Sequence, residues 1–388
     1  MTAQPAAAPT RRRRSYAWAV LALVVLAAIT VAVAAVQVFD AANARYDEAV
    51  ARHASASAAA SEAVADLEGA AADAAEPLPI GQAIVAAAAD GYADAALKES
   101  LAASVTELTS AVEDRASDVD RAPAERVGPR PTWFADLDRE AERLDRDSRR
   151  LESAAESAAA RASELQEASE RVVAEGSALV ESVAASAPSV DAATVSASNG
   201  DRLALRAAIG EVTAIAAQAP WSLAAAAEIQ EYVVAASAAQ ASHAAEEAEN
   251  AGPLAEQRAA AEAFAHSLAG GVLIEIDWAP IVNGFGSGGS YGGWATWEPG
   301  GGVATIQLSD SVAELWPSDG VQSLIAHEVG HAMIAKCPWG VPEPATREAN
   351  EAWATAWAIG MGFHADGNGE SLYGRPSDAL IEQTLACR

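Results

Sequence analysis

No residue from Tyr16 to Phe39 carries a charge, and that run limits what the chain can fold into more than any other feature. As a helix it is about long enough to cross a hydrocarbon core of roughly 30 Å. A signal peptide is the competing reading, but its apolar region usually runs to about 7–15 residues, and this one is longer. The expectation is an uncleaved, single-pass cell-membrane anchor over residues 16–39. Arg11 to Arg14 precede the span, and Asp40, Asp47 and Glu48 follow it. The positive-inside rule then places residues 1–15, a basic tail with a disordered start, in the cytoplasm and everything from residue 40 onward outside it.

The formal charge of the 388 residues is −29. That excludes nucleic acid as a partner, because phosphates need a basic surface. Residues 40–252 are rich in Ala and Ser and helix-forming almost throughout, with breaks at Glu76-Pro77-Leu78-Pro79, at Ala122 to Pro131, at Ala187-Pro188 through Asn199-Gly200, and at Ala219-Pro220. Between the second and third breaks a spacing of seven joins Leu137, Leu144, Leu151, Ala158, Leu165, Val172 and Leu179. The positions four further on, from Ala141 and Ser148 to Gly176 and Val183, are nearly all small. One large and one small seam position per repeat fits close helix packing, so this region reads as an all-α, coiled-coil-like stalk. Series at Leu97, Leu101, Val105, Leu108 and Val112, and at Leu203, Ile209, Val212 and Ile215, could supply the neighbouring helices. Self-association of the stalk is equally open to such a seam.

Composition changes near Pro253. Seven of the ten Trp and 19 of the 27 Gly lie beyond residue 269, which predicts a compact, turn-rich domain over 253–388. Its elements read as a helix over 253–269, strands at Val272 to Trp278, Trp294 to Trp297 and Val303 to Leu308, a helix from Ser318 or Asp319 to about Lys336, another over 346–359, and a last one over 376–386. The predicted fold class is α+β: transmembrane helix, helical stalk, and a C-terminal domain with a small sheet packed on one helix.

That helix contains His327-Glu328-Val329-Gly330-His331. Residues four apart share a helix face, so both imidazoles can hold one metal ion while Glu328 stands beside it. The arrangement suits a zinc hydrolase in which the carboxylate takes a proton from water. A helix with two incidental His is the bland alternative. It fits poorly, because Leu324, Ile325, Ala326, Val329, Ala332 and Met333 make this helix apolar, and burying His and Glu without a role is costly.

At this point the sequence resembles the gluzincin metallopeptidases, the class that includes thermolysin, over residues 253–388. In that class a Glu on the next helix supplies the third ligand. Glu351, 20 residues after His331, stands there, with Asn350 before it and Ala352 after it also matching. Glu348, one turn earlier, is the alternative ligand. Thr355 departs from the pattern, standing where such enzymes usually carry an Asp that orients the first His. The resemblance implies that His327, His331 and Glu351 bind Zn²⁺, that Glu328 is the general base, and that a downstream His or Tyr stabilises the oxyanion, for which His364 and Tyr373 are the candidates. It also implies a protein or peptide substrate lying along an edge strand, either Trp294 to Trp297 or Val303 to Leu308.

Other features carry less. Gly284-Phe285-Gly286-Ser287-Gly288-Gly289 has no following helix to present to a phosphate and reads as a hairpin or cleft loop. Asp366-Gly367-Asn368-Gly369-Glu370 begins like a calcium loop but has Ser371 and Ser377 at the sixth and twelfth places, so a turn is expected. His53, His243 and His266 are expected on the surface. Cys337 and Cys387 are expected to form one bridge in an extracytoplasmic domain, against the rival of two free thiols. The functional expectation is a membrane-anchored zinc metallopeptidase. The alternative is a cell-surface coiled-coil interaction protein with a structural or inactive metal domain.

Overall fold

The computed structural model describes residues 12–118 and 126–388; the tail expected to be disordered, and part of the break over 122–131, lie outside them. The protein is mostly helical, with one small mixed sheet and one long apolar N-terminal helix. Two compact units form, one from residues up to Pro79 together with Ala102–Ala174, the other from Ile80–Leu101 together with Glu175–Arg388.

In the first unit, α1 (Arg12–Ala75) begins as the apolar segment, and none of its apolar window is buried. Both a membrane span and a signal sequence have that length and composition. Beyond it Ala42, Tyr46, Ala49, His53, Ala56 and Ala60 are buried at alternating spacings of four and three. Ala42, Tyr46 and Ala49 pack with Leu137, Ala141 and Leu144 of α4 (Phe134–Ala193), and Ala56 and Ala60 with Leu151. Arg45 pairs with Asp138 at 3.2 Å and Arg52 with Asp145 at 2.9 Å, both 93 residues apart. A constant offset means that α1 and α4 run in the same direction. The partner of the Leu seam from Leu137 to Leu151 is therefore α1, whose Ala positions carried no conspicuous apolar signal. Leu101, Val105 and Leu108 of α3 (Ala95–Asp118), which were expected in this role, are buried too. His53, expected on the surface, is only 4% exposed, with Nε2 2.7 Å from Asp147 Oδ2.

The third break lies later than its proline. Helix α4 runs through Pro188 to Ala193, although the proline offers no N–H to the Ala184 carbonyl; the hydroxyls of Ser186 and Ser189 donate to the neighbouring carbonyls of Val183 and Ser186. The chain turns at 194–198 instead. The break at Glu76-Pro77 separates α1 from α2 (Leu78–Ala87), which belongs mainly to the second unit. There α5 (Asn199–Gln218) and α6 (Leu223–Glu249) start at Ser198 and Ser222, whose hydroxyls accept from Asp201 N and Ala225 N, the usual N-cap arrangement.

The rest of that unit follows the element order read from the sequence, with two short helices added, at 310–314 and 370–373. After α7 (Ala255–Leu268) come β1 (Leu273–Ala279), β2 (Gly293–Trp297) and β3 (Val303–Ser309). They are ordered β1-β3-β2, with β1 parallel and β2 antiparallel to β3. Next are α8 (Asp310–Glu314), α9 (Asp319–Ala332), α10 (Arg347–Gly360), α11 (Glu370–Tyr373) and α12 (Asp378–Thr384). One core joins α7, the sheet, α9 and α10 through Ile274, Ile306, Leu308, Ile325, Val329, Trp353 and Trp357. The Cys337–Cys387 disulfide forms and ties the segment after α9 to the segment after α12.

Candidate metal centre

Helix α9 is buried at every residue from Ser323 to Ala332, polar ones included. Gly330 explains how it lies so close to α10, since a Cβ there would stand 2.8 Å from the Ala354 carbonyl oxygen and 2.9 Å from its Cα. The i, i+4 spacing places the His327 and His331 rings on one face, 4.9 Å apart and mutually perpendicular. Helix α10 starts at Thr346, whose hydroxyl accepts from Ala349 N at 3.2 Å. One turn further on, Glu351 Oε2 sits 3.2 Å from His327 Nε2 and 3.2 Å from His331 Nε2.

Whether these atoms fit a metal ion can be judged from those separations. A proton shared between imidazole and carboxylate would draw N and O to about 2.7–2.9 Å. Ligands about 2.0–2.1 Å from a tetrahedral zinc stand ~3.3 Å apart. The symmetrical 3.2 Å separations match the second case, and among the described residues this is the one group of three His, Cys, Asp or Glu side chains close enough to share an ion. The donor set is compatible with a metal ion and does not by itself select zinc. Glu348 is exposed and outside the group.

The surroundings orient the ligands. His327 Nδ1 lies 3.0 Å from the Asn368 carbonyl oxygen and 3.5 Å from Thr355 Oγ1. A carbonyl only accepts, so Nδ1 carries a proton and donates it, which leaves Nε2 to offer a lone pair to a metal ion or, when the ring is charged, a proton to Glu351. The support expected at Thr355 thus comes mainly from the turn Asp366 to Glu370. That turn is held by Asn368, which is 2% exposed; its Nδ2 donates to Phe363 O and its Oδ1 accepts from Glu370 N. Gly369 has φ +90°, and a Cβ there would meet the His327 ring at 2.6 Å. The calcium-like spelling of this turn encodes a close approach to His327. Trp297 stacks on His331 with centroids 5.3 Å apart, and Tyr373 on His327 at 5.9 Å. His331 Nδ1 is buried without a protein partner.

Electrostatically the group is tightly coupled. Burial opposes the charged form of Glu351, but hydrogen bonds from both imidazoles outweigh it and hold its carboxyl well below the usual range. Burial likewise disfavours a charged His327, yet the Glu351 hydrogen bond and the nearby Glu328 push its pKa up. With no metal, a proton on an imidazole would balance the buried carboxylate; a dication would take that place. Glu328 has no such partner. It is 5% exposed, and burial pushes its pKa up. Its carboxylate packs on the backbone of Gly293, where a Cβ would come within 2.6 Å of Glu328 Cγ.

A cleft of about 450 Å³ opens over these residues. Its walls are β2, from Gly293 to Trp297, on one side, and Arg347, Asn350 and Tyr373 on the other. Register and alternation turn the main chain of Trp294 and Thr296 to β3, and that of Gly293, Ala295 and Trp297 outward. Asn283 Nδ2 takes the outward carbonyl of Gly293 at 3.0 Å, and Ala295 and Trp297 leave a free edge beside the ligands. β3 is the central strand, so of the two expected edges only β2 is one. The glycine-rich loop folds back through paired bonds between Val282 and Phe285, as a cleft-side turn. Tyr373 lines the cleft; His364 is exposed and does not. Asn368, Gly369, Gly293 and Arg347 were not anticipated at the site, and Asn350 was noted only as the neighbour of Glu351, although two glycines flanking an Asn, and an Arg one turn before Glu351, were there to be read. Comparison with protein-family models, with curated proteins and with solved structures returns no match for this chain.

Proposed function

We propose that the chain is a membrane-anchored zinc metallopeptidase of the gluzincin type, with a zincin-like C-terminal domain carried outside the cytoplasm on a coiled-coil stalk. The observation that carries this reading is the convergence of His327, His331 and Glu351 at metal-ligand separations beside a buried, unpaired Glu328. The free edge of β2 adds support.

A zinc ion held by the three ligands would supply a Lewis acid that acidifies water and polarises a carbonyl. The chain's own residues do the rest. The outward amides and carbonyls of Ala295 and Trp297 pair with an extended peptide and lay it across the ligands. Glu328, whose proton affinity burial has raised, accepts a proton from the attacking water and passes it to the departing amine. The Tyr373 hydroxyl is the donor available at the cleft for charge developing on the substrate oxygen. The Asn368 carbonyl keeps the His327 proton on Nδ1, so its Nε2 stays available for coordination.

Metal analysis of the wild type and of Glu351→Ala, Glu348→Ala and Glu328→Gln, with peptide cleavage measured in parallel, tests this. Zinc is expected to be lost in Glu351→Ala and kept in the other two, and cleavage to vanish in Glu328→Gln. A Glu328→Gln chain that cleaves as well as wild type would refute the general-base role of Glu328, and a zinc-loaded wild type that cleaves no peptide would refute the enzyme reading and favour an interaction protein with a structural metal site.

A further inference from the structure

Resting on the hydrolase reading, we infer that the cleft selects substrates by a carboxylate, through Arg347 and Asn350 acting together. Arg347 is the one Arg or Lys among the described residues lining the cleft, in a chain whose formal charge is −29. It stands at the start of α10, and its Nε lies 3.7 Å from Glu351 Oε1, so it is held over the ligand group. Tyr373 lies beside it. A guanidinium offers five N–H donors, and these two neighbours engage at most two. The side chain is 73% exposed, so the remaining donors face the cleft or solvent in the fork that matches a carboxylate.

Asn350 lies three residues on, next to Arg347 on the same helix face. It lines the cleft, and its Oδ1 is buried without a hydrogen-bond partner. Buried acceptors are seldom left so. A free anion would satisfy Arg347 and leave Asn350 as it is. A residue presenting a peptide N–H and a carboxylate together completes both. Asp and Glu side chains in a peptide offer that combination, and so does a free C-terminal residue.

Blocked heptapeptides carrying Glu, Gln or Lys at one position, and the same peptides with free or amidated C-termini, distinguish the two sources. Binding to the full-length Glu328→Gln chain in detergent is followed by tryptophan fluorescence, since Trp294 and Trp297 line the cleft, and cleavage by wild type is measured separately. Binding is expected to favour the carboxylate over its amide counterpart about tenfold or more. Adding Arg347→Gln should bring that ratio close to one, and Arg347→Glu should invert it towards Lys peptides, which a purely structural arginine would not do. Equal binding of carboxylate and amide peptides, or a ratio untouched by Arg347→Glu, overturns the inference. Cleavage without a carboxylate preference overturns the inference and leaves the hydrolase. Selective binding without cleavage by wild type keeps the recognition and removes the hydrolase.

Discussion

Adding one methyl group at Gly330 is the sharpest structural test of the site, because this residue lets α9 and α10 approach. The added Cβ would stand 2.8 to 2.9 Å from the Ala354 oxygen and Cα. Non-bonded carbon contacts settle at about 3.5–4.0 Å, so the two helices must part by roughly 0.5–1 Å. His327 and His331 ride on one helix and Glu351 on the other, whereas ligand distances tolerate about ±0.2 Å. Gly330→Ala should cost about 1–3 kcal/mol as overpacking and weaken zinc binding by at least about tenfold. The control is Gly210→Ala in α5, where a Cβ meets nothing within 4 Å; it should be neutral or stabilising by up to about 1 kcal/mol. Urea unfolding of the metal-free proteins measures the first effect, and zinc titration against a competing chelator the second. Wild-type zinc affinity in a Gly330→Ala chain of wild-type stability would refute the reasoning that this helix contact sets the ligand geometry.

Other expectations follow from the same geometry. Gly369→Ala should displace the Asn368 carbonyl from His327 and lower zinc affinity about 10–100-fold, read in the same chelator titration; unchanged affinity would mean that Thr355 alone suffices. His266 sits on α7 with its pKa pushed down to about 4 by burial, helped by Arg202. The folded state therefore resists a proton that the unfolded chain accepts near pH 6.5, and stability falls as pH drops through the window from about 6.5 to 4. Metal-free wild type should lose roughly 2–3 kcal/mol between pH 7 and 4.5 that His266→Gln does not lose, and parallel losses in urea unfolding would dispose of the idea. Reducing Cys337–Cys387, which closes a separation of 50 residues, should lower stability by about 4 kcal/mol on the chain-entropy account; thermal unfolding with and without reductant reads it. His53→Leu should cost about 1–3 kcal/mol, because Asp147 loses its shorter contact and keeps Arg150 at 3.6 Å, while His53→Leu with Asp147→Leu should cost less; equal costs would show that the pair adds nothing beyond packing.

The C-terminal domain was legible because its signals are local. Seven of ten Trp, the glycine turns and the β-branched runs place β1, β2 and β3, and the i, i+4 histidines require α9. The spacing of Glu351 from His331 anticipated, across one loop, its meeting with both imidazoles. What stayed hidden depends on contacts between distant segments. A carbonyl has no letter in the sequence, so the Asn368 oxygen 3.0 Å from His327 Nδ1 could not be foreseen. The α1 seam escaped because Ala contributes little apolar signal while packing closely, and the buried His53 shared the fate of that seam. Pro188 does not end α4, which runs on to Ala193, and the break falls at 194–198, inside the stretch marked by Ala187-Pro188 through Asn199-Gly200.

Helix α1 has a mechanical consequence. From Arg12 to Ala75 it is one element with no Pro and a single Gly, Gly69. Beyond Phe39 it continues for about 54 Å, at ~1.5 Å per residue, with no loop at the boundary of the apolar segment. An embedded Val20–Phe39 segment would therefore have no swivel. Tilt or rotation imposed by the bilayer would pass directly into the face bearing Ala42, Tyr46 and Ala49, and from there into α4. Inserting one to three residues after Phe39 would then turn that face about 100° per residue relative to the apolar segment, so in an embedded helix the orientation of that face would be set by helical phase and not by a flexible joint.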